Sequence, residues 1–198
     1  MSWKRFILVG IPGSGKSKLA ADLEHGLHGT IMVHRGSASD YFHSEDFAIG
    51  PQMDYRAELL LATQRTMAHL SKAHAHIVFD GSLIDSFAYS IRRYQRHLKY
   101  ANVSDGTETR DLLISILIGA MLRDSLEYDH IFFLEAEPVD DEEEALQDRM
   151  KEILDTTGAK YTLLRKDERE QWSEQAIEIV KEHIGQGNAE SESSSQED

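Results

Sequence analysis

Short apolar runs alternate with segments of helical periodicity along this chain, and the alternation predicts a parallel sheet covered by helices. Because connections between parallel strands are right-handed, the helices should cover both faces and give an α/β three-layer sandwich. The predicted strands are Arg5–Val9, Thr30–His34, His76–Asp80, His130–Leu134 and Tyr161–Leu164. The predicted helices are Lys16–Leu27, Asp54–Ala73, Ile84–Tyr100, Thr109–Leu126, Asp141–Asp155 and Glu168–Ile184.

The length of 198 residues indicates one domain, which we place at residues 1–187. The connection from Arg35 to Met53 is long for this type of fold, and such loops are usually functional or mobile. Residues 188–198 are rich in Ser and Glu and have nothing to bury, so we expect a disordered acidic tail.

The net charge of −14 narrows the class of binding partner. An acidic protein is repelled by phosphate backbones, which disfavours nucleic acid unless positive charge is concentrated locally. No stretch reaches the roughly 18 uncharged apolar residues that a membrane span needs, and the first residues do not resemble a signal peptide. The absence of cysteine excludes disulfides and thiol catalysis but does not name a compartment.

The segment after the first strand matches the phosphate-binding pattern G-x-x-x-x-G-K-[ST] at every fixed position. Glycines allow such a loop to wind around a phosphate with its N–H groups pointing inward, and the following helix adds its positive end. Lys16 should reach the β- and γ-phosphates of ATP, and the Ser17 hydroxyl should bind Mg²⁺. The predicted nucleotide-binding residues are Gly10, Pro12, Gly13, Ser14, Gly15, Lys16 and Ser17.

A second candidate is Asp80, at the end of the strand that we expect beside the phosphate loop. Its carboxylate could hold a Mg²⁺-bound water or accept the proton of a hydroxyl acceptor. The alternative is a capping or turn aspartate, because Gly81 and Ser82 follow it.

With these two motifs placed, the chain from Arg5 to Ile184 resembles the nucleoside and nucleotide kinase branch of P-loop proteins. Within that branch it is most similar to small AAA-like and nicotinamide-riboside-kinase-like proteins of phages and bacteria. In such kinases an arginine often follows the strand-end acidic residue. Here Gly81 stands in its place, and Arg92 or Arg93 is the candidate to supply the charge instead.

The resemblance also implies residues on the acceptor side. An acidic residue after the second strand commonly lies near the acceptor in these kinases, and Asp40 matches best, with Asp46 as its competitor. Gln64 and Arg65 resemble residues that read a base or phosphate, although a solvated helix face explains them equally well.

The region at about 136–160 has the place of the lid of nucleotide kinases, which brings arginines over the transferring phosphoryl group. We expect Arg165, which follows the last predicted strand, to have this role. Arg149 and Arg169 are alternatives, but surface ion pairs with the nearby glutamates explain them at least as well.

These features predict a cytoplasmic, ATP- and Mg²⁺-dependent kinase that phosphorylates a nucleoside, nucleotide or related metabolite. Two alternatives remain at this stage. One is a phage-type kinase that acts on a DNA 5′ end or a hydroxylated base in DNA; the other is a P-loop ATPase or nucleotide-binding adaptor. A homodimer is implied by the resemblance alone. The residues leave open the acceptor's identity and the choice between adenine and guanine in the donor.

Overall fold

The strands form one parallel sheet in which the phosphate-loop strand is central. A computed structural model describes residues 3–35, 75–86, 88 and 128–193, with the backbone alone for 186–193. The strands are β1 (Arg5–Val9), β2 (Ile31–Arg35), β3 (His76–Asp80), β4 (His130–Leu134) and β5 (Tyr161–Leu164). They lie in the order β2-β3-β1-β4-β5, and every neighbouring pair is parallel. The predicted five-stranded parallel sheet is confirmed.

Helices cover both faces of this sheet. The described helices are α1 (Lys16–Gly26), α2 (Asp141–Thr157) and α3 (Trp172–Ser193), with a 3₁₀ segment at Lys166–Gln171. Alternate residues of each central strand point to opposite faces, so the apolar runs form two separate cores. One core joins the sheet to α1 and α3, and the other joins it to α2. The three-layer α/β sandwich is therefore confirmed.

The second strand begins one residue later than predicted. The Thr30 N–H donates to the Leu27 carbonyl at 2.9 Å, which keeps Thr30 in the turn after α1. The strand instead extends to Arg35, which lies opposite Asp80 in the register of β2 and β3.

The segment predicted as a lid is part of the core. Within residues 136–160, α2 buries Leu146, Met150, Ile153 and Leu154 against the sheet. The spacing of these residues places them along one helical face, which is the pattern of a helix packed on a sheet. In the structure this segment therefore contains a helix packed on the sheet, and a lid role for residues 136–160 stays a prediction.

The C-terminal helix extends beyond its predicted end at Ile184. The helical backbone of α3 continues to Ser193, so residues 188–193 of the expected disordered tail are helical in the structure. Residues 194–198 lie outside the described residues. At the other end of this helix, the expected start at Glu168 falls inside the 3₁₀ segment, whose backbone is kinked at Glu168, and α3 itself begins at Trp172.

Candidate functional site

The phosphate loop lies between the end of β1 and the start of α1, at the carboxyl edge of the sheet. Gly13 and Gly15 have φ values of 77° and 103°, which L side chains rarely adopt. Gly10 is required for another reason. A Cβ atom on it would lie 2.7 Å from Ser14 Oγ and 2.9 Å from the Leu134 carbonyl oxygen. The glycines of the motif therefore serve the shape of the loop, as the sequence predicts.

The first turn of α1 is arranged for an anion. Gly15 occupies the N-cap position without a side-chain hydrogen bond, and the first turn contains no acidic residue. Lys16 and Lys18 lie in this turn, where positive charge opposes the helix dipole. A phosphate bound at the N-terminus of α1 would offset that cost and accept hydrogen bonds from the exposed N–H groups.

The Lys16 ammonium folds back over its own loop. Its Nζ donates to the carbonyl oxygens of Gly10 at 2.5 Å and Ile11 at 2.9 Å. These are neutral acceptors, and a phosphate oxygen is a stronger, charged one. The lysine is therefore held beside the loop, within reach of a phosphate that enters it.

Asp80 lies next to the loop at the end of β3. Its side chain is 3% exposed, and its backbone pairs with Leu8 of β1, two residues before Gly10. The cap of the following helical turn is Ser82, whose Oγ accepts the Asp85 N–H at 2.9 Å. Since Ser82 has the capping role, the alternative reading of Asp80 as a helix cap loses its main support.

The oxygen atoms of Ser17 and Asp80 are the kind of ligand that Mg²⁺ prefers. Ser17 is exposed in the first turn of α1, and the Asp80 carboxylate is buried at the neighbouring strand end. A hydroxyl and a carboxylate flanking a triphosphate site fit a magnesium ion that keeps water and phosphate oxygens as its other ligands.

Arg169 reaches the phosphate loop from the 3₁₀ segment. Its Nη2 donates to the Ser14 carbonyl at 3.4 Å, and its Cζ lies 5.4 Å from the centroid of the Trp172 ring. A Cβ atom on Gly15 would lie 2.9 Å from the same Nη2, which shows how closely the guanidinium approaches the loop. The sequence offered Arg169 as an alternative to Arg165 but explained it at least as well by a surface ion pair, because no local pattern marks this contact.

The other arginine candidates have different surroundings. Arg149 forms an exposed ion pair with Glu152 at 2.6 Å on α2, which confirms the surface-pair interpretation for this residue. Arg165 is exposed, and its carbonyl oxygen accepts the Trp172 Nε1–H at 2.7 Å. Its guanidinium has no hydrogen bond or ion pair within the described residues, so a catalytic role for Arg165 stays a prediction.

The predicted acceptor-side residues lie outside the part of the chain that the structure describes. They are Asp40, its competitor Asp46, Gln64, Arg65, Arg92 and Arg93. The structure therefore describes the predicted nucleotide-binding residues and none of the predicted acceptor-binding residues.

A pocket opens beside α1, next to the loop. Lys18 and Asp22 of α1 line one side, and Glu170 and Ser173 line the other, with Arg169 at the loop end. The Ser173 hydroxyl donates to the Asp22 carboxylate at 2.6 Å, which fixes both polar groups in the pocket wall. The pocket adjoins the place of the phosphates and contains donors and acceptors of hydrogen bonds.

Comparison with known proteins agrees with this geometry. The sequence model of the AAA domain family matches residues 5–186. The chain belongs to the AAA domain family. No curated protein matches it significantly. In the described residues, no helix of this AAA domain is long and apolar enough to cross a membrane.

Solved structures of nucleoside and nucleotide kinases share the fold. One is a deoxyadenosine kinase from M. mycoides with dCMP and dCDP bound, with a TM-score of 0.58 and 14% sequence identity. The match covers 92% of this chain and 98% of the kinase chain. The same kinase with dATP bound has a TM-score of 0.59 at 15% identity, covering 92% and 99%. A thymidylate kinase from Ehrlichia chaffeensis has a TM-score of 0.59 at 13% identity, covering 91% and 100%. This AAA domain has the fold of nucleotide kinases.

Proposed function

We propose that this protein is a kinase that transfers the γ-phosphoryl group of ATP to a nucleoside, a nucleotide or a related small metabolite. The observation that supports this proposal best is that a buried carboxylate, Asp80, lies at the end of the strand next to the phosphate loop. A loop alone explains nucleotide binding, whereas the carboxylate adds a group for magnesium binding or proton transfer. The fold shared with nucleoside and nucleotide kinases supports the proposal.

In the proposed reaction, the acceptor hydroxyl attacks the γ-phosphorus while the bond from that phosphorus to the β–γ bridging oxygen breaks. The hydroxyl proton passes to a carboxylate, Asp80 or Asp40, and ADP leaves with the bridging oxygen. Lys16 and the N–H groups of the loop stabilise the negative charge on the phosphates. Magnesium held by Ser17, and by Asp80 if Asp40 is the proton acceptor, would neutralise charge on the donor phosphates.

Arg169 is proposed as the arginine of this site, in place of Arg165. Its guanidinium lies at the phosphate loop and is held there by the Ser14 carbonyl and the Trp172 ring. From this position it supplies positive charge to the donor phosphates. The pocket beside α1 is next to this arginine, and we assign it to the ribose and base of the donor.

We further propose that the protein acts in the cytoplasm, where ATP is available. Its net charge of −14 favours a small-molecule acceptor over nucleic acid. The test is ADP release from Mg·ATP with a panel of nucleosides, nucleoside monophosphates, nicotinamide riboside and single- and double-stranded DNA. Stimulation by one small acceptor is expected. Stimulation by DNA alone would show that the acceptor is a nucleic acid and not a small molecule. ADP release that does not depend on any acceptor would indicate an ATPase.

A further inference from the structure

The carboxylate of Asp85 lies between the phosphate loop and the turn that follows β3, and the proposed transfer does not use it. The residue is 3% exposed. It forms no ion pair within the described part of the chain. A buried carboxylate without a cationic partner is costly, so its hydrogen bonds must account for its presence.

The two oxygens of Asp85 serve two different segments. Oδ1 accepts the Gly10 N–H at 3.3 Å, at the first residue of the phosphate loop. Oδ2 accepts the Ser82 N–H at 3.2 Å, two residues after Asp80. The Asp85 N–H in turn donates to Ser82 Oγ, which makes a reciprocal cap at the start of this helical turn. One side chain thus joins the start of the loop to the segment that carries Asp80.

We propose that Asp85 is a positioning residue that holds the start of the phosphate loop and the turn after Asp80 in their binding geometry before the nucleotide arrives. The inference rests on the proposed nucleotide site. When the loop is already ordered in the free protein, none of the free energy of nucleotide binding is needed to order it. Without the carboxylate, the Gly10 N–H would bond to other acceptors and the loop would leave its binding geometry. Nucleotide binding would then have to restore that geometry.

Replacing Asp85 by asparagine separates two effects on ATP affinity: the loss of the hydrogen bonds that position the loop and the loss of the negative charge. Asparagine presents one acceptor oxygen and one NH₂ group, so it can serve Gly10 or Ser82 but not both. The loss of a negative charge near the triphosphate, by itself, would strengthen ATP binding. Loss of positioning would weaken it, so the two effects have opposite signs.

The experiment is calorimetric titration of the full chain with Mg·ATP, without acceptor, in the wild type and in Asp85→Asn. The Kd is expected to rise by about tenfold or more, because a buried N–H loses its partner in the free loop. The matched control is Asp129→Asn. Asp129 makes the same kind of bridge at the other end of β1, to Lys4 Nζ at 2.9 Å and the Arg5 N–H at 2.7 Å. Its variant should lower the Tm and leave the Kd unchanged.

An unchanged or lower Kd in Asp85→Asn would overturn the inference, and so would an equal rise in Asp129→Asn, which would indicate general destabilisation. If Asp85→Asn does not fold, amide hydrogen exchange of the wild type decides. The Gly10 N–H should be protected without nucleotide, and rapid exchange there in the folded protein would contradict the proposal.

The titration is independent of the kinase assay. A protein that binds Mg·ATP but phosphorylates no acceptor contradicts the proposed function, and the Kd comparison still tests Asp85. A wild type that does not bind Mg·ATP would overturn both.

Discussion

At the residue scale, the site concentrates positive charge in a protein whose total charge is −14. Lys16 and Arg169 are both held by carbonyl oxygens of the phosphate loop, at Gly10, Ile11 and Ser14. Carbonyl oxygens are weaker partners for a cation than phosphate oxygens. Both cations therefore lie at the loop where we propose that ATP binds, and its phosphate oxygens would be stronger acceptors than these carbonyls.

Lys16→Ala should reduce turnover by about a hundredfold or more, because the variant lacks the charge that stabilises the β- and γ-phosphates during transfer. The measurement is ADP release at saturating acceptor. Lys151→Ala is the control, since Lys151 is an exposed lysine on α2. Equal rates for Lys16→Ala and the wild type would refute the proposed mechanism.

Arg169→Ala should raise the KM for ATP by about tenfold, the usual effect of losing one charge-assisted hydrogen bond. The comparison is with Arg149→Ala, which removes an exposed arginine paired with Glu152 on α2. Steady-state kinetics against Mg·ATP should show an effect for the first variant and none for the second. If the two variants behave alike, Arg169 has no special role at the loop.

At the scale of single elements, the central strands were easiest to predict from the sequence. β1 and β4 are buried on both faces, so four of the five positions in each are fully buried and apolar. Such uninterrupted apolar runs are easy to distinguish from the mixed polar and apolar sequence of the neighbouring helices and loops. The edge strand β2 has only one buried position, with Met32 60% exposed, and it begins one residue later than predicted.

The helix α2 shows that a helix can be predicted from the sequence while its role depends on tertiary contacts. Its N-cap is Asp140, whose Oδ1 accepts the N–H groups of Glu142 and Glu143 at 3.0 and 2.8 Å. The acidic first turn suits the helix dipole, and both features were readable from the sequence. Whether the helix forms a lid or packs on the sheet depends on the tertiary contacts of its apolar face.

Asp140→Ala should destabilise the protein by about 1 kcal/mol, because two N–H groups at the start of α2 lose their acceptor. Urea unfolding followed by circular dichroism measures this change. Asp148→Ala, within the same helix and without a capping role, serves as the control. A free energy of unfolding that is equal in the two variants would contradict the assignment of the cap.

At the scale of the whole molecule, β4, β5 and α3 meet at a half-buried histidine, His130. His130 Nε2 lies 2.8 Å from Thr162 Oγ1 of β5, and its ring lies 5.1 Å from the ring of His183 on α3. Burial, together with the charge of His183, lowers the pKa of His130 from 6.5 to about 4. Protonation of this histidine is therefore opposed by the folded state.

Stability should fall as the pH decreases from 6.5 to about 4, because over this range the unfolded chain binds a proton at His130 that the folded protein does not. The slope from one such group is at most about 1.4 kcal/mol per pH unit, and partial exposure to solvent reduces it. Burial also lowers the pKa of His76, which adds in the same direction.

The measurement is urea unfolding at several pH values in this range, for the wild type and for His130→Gln. The variant has no titratable group at this position, so its stability should depend less steeply on pH. Parallel curves for the two proteins would show that His130 contributes nothing to the acid sensitivity.

The sequence by itself determined the sheet, the phosphate loop and the residues Lys16, Ser17 and Asp80. These features depend on local spacing: apolar runs of strand length, glycines at fixed intervals, and a polar residue at the end of a strand. Only the tertiary structure brought Arg169 and Asp85 into contact with the phosphate loop. Ser82 and Asp85 could be recognised as a capping pair, but the bond from Asp85 to Gly10 joins residues 75 positions apart. Arg169 contacts the carbonyl of Ser14 across 155 positions, and no local pattern encodes a contact made by the packing of α3 against α1.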